Sequence, residues 1–206
     1  MKFTLGWLKD FLETDLGIDE ISNQLTSLGL EVESVSDFSK DLESFSVALV
    51  KETQPHPDAD RLQICKLETE HGEVEVVCGA PNARKDLKGI FAPLGSYIPG
   101  SDLILKKTKI RGVESIGMLL SERELGISDD HDSIIEVSDN YKIGTPAAKA
   151  MRLDDPVIEI AITPNRQDCL AISGIARDLS AAGLGKFKSQ NIKTVKGKFK
   201  SPVSVN

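Results

Sequence analysis

The stretch Lys106-Lys107-Thr108-Lys109-Ile110-Arg111-Gly112-Val113-Glu114-Ser115-Ile116-Gly117-Met118-Leu119-Leu120-Ser121 joins four cations to two β-forming runs, residues 108–110 and 117–121. Short runs of β-formers bounded by glycine read as strands separated by tight turns. Outward from here, residues 40–150 repeat the style, with further runs at 45–51, 62–67, 74–77 and 89–94. The punctuation between them is Pro55-His56-Pro57-Asp58, His71-Gly72, Gly79-Ala80-Pro81-Asn82, Gly95 and Pro99-Gly100, all turn-forming chemistry. Several short strands at this spacing predict a small β-barrel, because closing a sheet on itself leaves few unpaired edges.

The flanks are written with a helical period instead. Thr4 can cap a helix whose apolar positions Leu5, Leu8, Phe11 and Leu12 share one face, with Gly17 expected to close it. A second helix is expected from near Asp19, striped by Ile21, Leu25 and Leu28 and ended by Gly29, and residues 30–35 alternate like a half-buried strand. After the barrel, residues 157–162 read as an apolar strand and Thr163-Pro164-Asn165-Arg166 as a turn. Residues 168–182 then read as a helix carrying Leu170, Ile175, Leu179 and Ala182, ended by Gly183. Neither flank holds enough apolar residues for a core of its own. The economical fold is therefore α+β and mainly β: a split α/β domain of residues 1–38 plus 151–190, with residues 39–150 inserted as a barrel. Such insertions are tolerated where the two ends lie close together at a surface. Residues 191–206 are expected to be a linker into a longer protein. The acid-free series Lys186, Lys188, Lys193, Lys196, Lys198 and Lys200 reads as solvated chain, with an RNA-binding arm as the alternative.

Composition narrows the function. The 206 residues are 40% hydrophobic and 28% charged, the balance of an ordinary globular protein. Apolar runs such as 90–94 and 157–162 fall far short of the ~20 residues of a membrane helix. The start lacks a signal-peptide pattern, so the expected location is the cytoplasm. Cys65, Cys78 and Cys169 match neither a disulfide framework nor a zinc site and are expected to be reduced. His56, His71 and His131 read as solvated loop residues, and no metal is expected. The net charge of −7 excludes a protein that coats nucleic acid by bulk electrostatics, so any RNA contact must be local. Lys106, Lys107, Lys109 and Arg111, four cations in six residues, are the candidate phosphate contacts. Asp58, Asp60, Glu122 and Glu124 read as solvated or loop-capping carboxylates. Gly79, Gly112 and Gly117 read as turn or close-approach positions, since neither a P-loop nor a dinucleotide fingerprint is present. No catalytic set can be assembled from spacing.

Three motifs carry a family resemblance. They are His56-Pro57-Asp58-Ala59-Asp60-Arg61-Leu62-Gln63-Ile64-Cys65-Lys66-Leu67, Val76-Val77-Cys78-Gly79-Ala80-Pro81-Asn82-Ala83-Arg84, and the stretch quoted first. Together they resemble the tRNA-binding domain, an oligonucleotide-binding (OB-fold) barrel. It is shared by bacterial phenylalanyl-tRNA synthetase beta subunits, free-standing tRNA-binding proteins and appendages of some methionyl-tRNA synthetases. Residues 1–12, 28–33 and 163–179 are similar to the two halves of the N-terminal domain of that beta subunit, and residues 201–206 to the lead-in to its editing domain. The resemblance implies a tRNA-docking portion with no catalytic or editing site of its own. It also implies tRNA(Phe) and an alpha subunit (an alpha2/beta2 assembly) as partners, no membrane or DNA, and ATP with magnesium in the complete ligase. It adds Arg61, Asn82, Arg84, Lys85 and Ser121 as further candidate RNA contacts. The competing readings are a free-standing tRNA-binding or chaperone-like module, and a structural spacer without RNA affinity. Phe91 is expected in the core and Tyr97 is the other ring near the basic stretch, so recognition by shape and backbone is the expectation.

Overall fold

The computed structural model describes residues 1–190, 192–194, 196–199 and 203. Residues 191, 195, 200–202 and 204–206, which include Lys200 and most of the expected lead-in, lie outside the described residues. The chain divides into two compact units, Met1–Val35 with Val157–Asn206, and Ser36–Pro156.

In the first unit, β1 (Lys2–Thr4) runs directly into α1 (Leu5–Phe11), whose first turn is capped by Thr4 Oγ1 accepting from the Trp7 N–H at 3.1 Å. The helix stops earlier than the glycine signal implied. Leu12 is extended and fully buried, so β2 (Leu12–Glu13) follows at once, and Gly17 instead caps the start of α2 (Ile18–Ser27). The Glu20 carboxylate accepts from the Gly17 N–H at 3.3 Å. α2 ends as its sequence indicated: Gly29 takes φ +82, Gly29 N–H reaches the Thr26 carbonyl and Leu30 N–H the Leu25 carbonyl, a Schellman closure. β3 (Val32–Ser36) completes this half.

The second unit contains α3 (Phe38–Asp41), β4 (Ser46–His56), β5 (Ala59–Thr69), β6 (Gly72–Cys78), β7 (Lys88–Ala92), β8 (Tyr97–Ile98), β9 (Leu103–Ile104), β10 (Thr108–Ile110), β11 (Val113–Ser115), β12 (Met118–Leu119) and α4 (Ala147–Ala150). Its main sheet is antiparallel, five-stranded, in the order β12-β7-β4-β5-β6. β4 runs further than the 45–51 stretch, through Pro55 to His56. A register shift between Pro55 and His56 absorbs the missing proline N–H, which is how a strand tolerates proline. The two ends of the sheet meet: Ile116 N–H donates to the Glu75 carbonyl at 2.9 Å and Val77 N–H to Ser115 Oγ at 3.1 Å. One side of the curled sheet encloses Val50, Cys65, Leu67, Val76 and Leu119. A neighbouring cluster gathers Phe45, Val47, Ile90, Ile98 and Leu120 with Ala147 of α4.

The chain then returns as β13 (Val157–Ile160), α5 (Ile172–Ala181) and β14 (Lys186–Phe187). β13 pairs antiparallel with β1, Phe3 opposite Ile158, in the sheet order β1-β13-β3, and β14 pairs with β2. Leu8, Leu12, Ile21, Leu25, Ile158, Ile160, Ile175 and Leu179 share one core. The helix expected over 168–182 is broken. A 3-10 turn at Gln167–Leu170 and an extended Ala171 (φ −117) precede α5, so Leu170 leaves the apolar stripe and is 62% exposed. Gly183 ends α5 at φ +83, as expected. Among the described residues, no helix is long and apolar enough to cross a membrane.

The glycines of the second unit differ in what they do. At Gly117 (φ +125) a Cβ would lie 2.3 Å from a Phe91 ring carbon and 2.8 Å from the Ala92 carbonyl oxygen. At Gly79 it would meet only a Leu62 methyl at 3.3 Å. Gly117→Ala should therefore destabilise by about 2–4 kcal/mol, combining left-handed strain with overpacking, whereas Gly79→Ala should cost under about 1 kcal/mol. Urea unfolding of the two variants checks this, and equal losses would refute the close-approach account.

Candidate nucleic-acid interface

The basic stretch is an edge hairpin. β10 and β11 pair with Lys109 opposite Glu114 and Ile110 opposite Val113. The two residues between them, Arg111 (φ +45) and Gly112 (φ +89), are both left-handed, the backbone of a tight turn whose twist suits a hairpin. A turn this tight sends Lys106, Lys107, Lys109 and Arg111 outward, and all four are exposed.

The hairpin is held from beneath. His56, expected to be a solvated loop residue, is buried: its Nδ1 accepts from the Asp58 N–H at 3.1 Å. That leaves the ring proton on Nε2, which donates to the Ile110 carbonyl at 3.1 Å. Arg111 Nη1 donates to the Asp58 carbonyl at 2.9 Å, so the β4–β5 turn and the hairpin tip clamp each other. At the hairpin's base, buried Ser115 donates to the Gly117 carbonyl at 3.0 Å. Lys107 pairs with Glu114 at 2.9 Å, across the hairpin. Among the described residues no polar partner is recorded for the side chains of Lys106, Lys109, Arg61 or Lys85, which are exposed.

The remaining candidates have other duties. Ser121 is buried, and its hydroxyl and backbone N–H both donate to the Glu124 carboxylate, so it closes a turn and does not face solvent. The amide of Asn82 donates to the Ile134 carbonyl at 2.9 Å and accepts from its N–H at 3.0 Å. Arg84 forms a two-pronged pair with Glu136 at 2.7 and 2.8 Å, and Asn82 adds a third donor at 3.1 Å. Asn82 and Arg84 thus tie the 82–84 turn to the segment at 134–136. These donors, Arg84 first, hold the Glu136 carboxyl well below its usual range, at about 2. Sequence reading missed His56 and Glu114. Counting the hairpin register outward from Gly112 would have found Glu114, but His56 gives no sequence signal of burial.

Two other clusters are accounted for. Cys65 and Cys78 are buried, free thiols on neighbouring strands β5 and β6, and each perturbs the other, so that the thiol of Cys78 becomes more acidic and that of Cys65 less. In the first unit Asp168, Cys169 and Asp178 could bring their donor atoms within 4.8 Å of one another. Arg166 contacts both carboxylates and Arg177 reaches Asp168 at 3.0 Å, so cations already fill that space. A guanidinium-filled, thiol-containing set does not fit magnesium, which wants an octahedron of oxygens.

Comparison with known proteins places the second unit. Residues 45–146 match the family model described as "Putative tRNA binding domain". The whole chain is 54% identical to phenylalanine–tRNA ligase beta subunits of Bradyrhizobium diazoefficiens and Brucella abortus, and spans 26% of the length of each. A solved structure of a MetRS-related protein from Pyrococcus horikoshii aligns with 54% of this chain and 96% of its own, at 22% identity and a TM-score of 0.40.

The Glu136 pair yields a pH signature. Its folded value of about 2 lies below the unfolded 4.5, so its contribution is complete above pH ~4.5 and is lost as pH falls through ~2. The difference in melting temperature between the wild type and Glu136→Gln should be constant from pH 5 to 8 and shrink steadily between pH 4.5 and 2. A difference independent of pH across that window would show that the ion pair contributes nothing.

Proposed function

We propose that this chain, which belongs to the tRNA-binding domain family through residues 45–146, is the tRNA-docking portion of a phenylalanine–tRNA ligase beta subunit. The carrying observation is the exposed cationic hairpin edge on a molecule of net charge −7. A negative protein holds a polyanion only where cations are grouped and kept clear of its own acids. Here Lys106 and Lys109 are unpaired among the described residues, and Arg111 uses one nitrogen on a neutral carbonyl. Lys107 has an exposed partner in Glu114 that water and salt screen, so exchanging it for a phosphate costs little. Arg61, just beyond the clamped β4–β5 turn, and Lys85 are exposed and remain candidates, whereas Asn82 and Arg84 are committed to the segment at 134–136 and Ser121 to Glu124.

The finer reading has the second unit as an OB-type barrel inserted into a split α/β domain. The closure of the five-stranded sheet supports the barrel. The insertion is supported by the antiparallel pairing of β1 with β13 and by the hydrogen bond from Ile160 N–H to the Met1 carbonyl at 2.8 Å. In the complete cytoplasmic enzyme, an alpha subunit in an alpha2/beta2 assembly would carry the ATP- and magnesium-dependent attachment of phenylalanine to tRNA(Phe). This portion would contribute docking and architecture.

Fluorescence anisotropy of labelled tRNA against the 206-residue chain at several salt concentrations tests the docking reading. Binding should weaken with salt. Changing Lys106, Lys107, Lys109 and Arg111 to Ala together should flatten the log–log salt slope by about 3–4, at ~0.7–0.9 per phosphate contact. An unchanged slope in a variant with unaltered circular dichroism would remove the hairpin from the interface. Absence of binding by the wild type would favour the spacer without RNA affinity.

A further inference from the structure

Next to the cationic edge the second unit exposes an apolar surface that its core does not use. β8 and β9 form a small hairpin in which Tyr97 stands opposite Ile104 and Ile98 opposite Leu103. Ile98 is fully buried and anchors the hairpin, whereas Tyr97 is 52% and Ile104 58% exposed. Leu94 and Leu103 add exposed area beside them. Contiguous exposed apolar side chains mark binding surfaces more often than singly scattered ones do.

The hairpin is rigid. Gly95 (φ +91) turns the chain into it, donating to the Leu105 carbonyl while Leu105 N–H donates to Ser96, both at 2.8 Å. Gly100 N–H is bonded to the Glu124 carbonyl at 2.9 Å. A Cβ at Gly100 would lie 1.6 Å from the Arg123 carbonyl oxygen, so the hairpin tip seats flush on that turn. The Tyr97 hydroxyl donates to Asp102 at 2.8 Å, which fixes the ring's orientation before any ligand arrives and engages that carboxylate. Beyond β9 the chain passes through Leu105, which packs against the core, to Lys106, which is exposed like Ile104.

We propose that Tyr97, backed by Ile104, is a stacking platform for an unpaired RNA base whose adjoining phosphate is held by Lys106. This rests on the RNA-docking reading and deepens it, from a polyanion in general to single-stranded nucleotides. A fixed aromatic face beside a cation suits a base and its phosphate, because every base offers a π-face and carries its charge a short distance away. A basic face with no ring binds a duplex equally well, but a ring at the surface reaches a base only where the base is unstacked. The cation run that starts two residues after Ile104 favours a nucleic acid over an apolar protein partner as the occupant.

The test uses the full 206-residue chain with a short single-stranded RNA carrying 2-aminopurine, the matching duplex, and labelled tRNA. Wild type should change the 2-aminopurine fluorescence of the single strand on binding. Tyr97→Ala should abolish that change and weaken single-strand binding roughly 5- to 150-fold, the range for one stacked base, with the salt slope unaltered. Tyr97→Phe should retain the fluorescence change, because the ring and not the hydroxyl is the platform, and the duplex should bind independently of Tyr97. Wild-type-like single-strand binding by Tyr97→Ala, or equal losses for single strand and duplex, would overturn the stacking proposal while leaving the cationic docking reading intact. Failure of the wild type to bind any of the three RNAs would overturn both.

Discussion

The edge of a sheet is a row of unpaired backbone donors and acceptors, and a small five-stranded sheet has two of them. In this chain the two end strands, β6 and β12, are brought together where the backbone at Ile116 bonds to Glu75. Everything else in the second unit follows from that join. It fixes where β11 must lie, and so where the β10–β11 hairpin projects. It requires a residue without a side chain at Gly117, where the chain passes over the Phe91 ring. It also leaves the turn at Arg111–Gly112 exposed, where neighbouring cations are set out without crowding the core.

Electrostatics and packing divide the labour around that hairpin. The cations are presented by a turn, but their position is set by neutral and buried groups: the His56 ring on the Ile110 carbonyl, the Asp58 carbonyl beneath Arg111, and the Ser115 hydroxyl at the base. Carbonyl partners orient a guanidinium without neutralising it, and a carboxylate in the same place would have cancelled the charge on offer. Arg84 shows the opposite choice. Equally cationic in sequence, it is spent on Glu136, where a two-pronged pair ties the 82–84 turn to the segment at 134–136. The first unit uses the same device in the Arg166, Asp168, Arg177 and Asp178 network, whose acids are satisfied by guanidinium groups.

Several element types were legible because short-range chemistry decides them. Thr4 at a helix start, Gly29 and Gly183 at helix ends, and strands wherever β-formers alternate between turn dipeptides were all readable from neighbours a few residues apart. Where the reading missed, a long-range contact had overruled a local signal. Gly17 marks a helix start and not an end, because burial of Leu12 draws the chain out of α1 first. Leu170 belongs to the helical stripe by period yet lies outside it, because extended Ala171 interrupts the helix. Pro55 sits inside a strand, because a bulge supplies the irregularity it needs.

The sequence by itself determined the grouping of four cations around a glycine turn, the change from helical to strand period and back, and the motifs that carry the family likeness. These are properties of residues adjacent in the chain, and adjacency is what a sequence records. Only the tertiary structure decided which polar residues remain available: Ser121 and Asn82 are turned inward, Arg84 is paired, His56 is buried beneath the hairpin, and Tyr97 is left in solvent opposite Ile104. Availability depends on partners such as Ile134 and Glu136, about fifty positions away, and on whether a ring finds room in the core, so it is settled by packing and not by order along the chain.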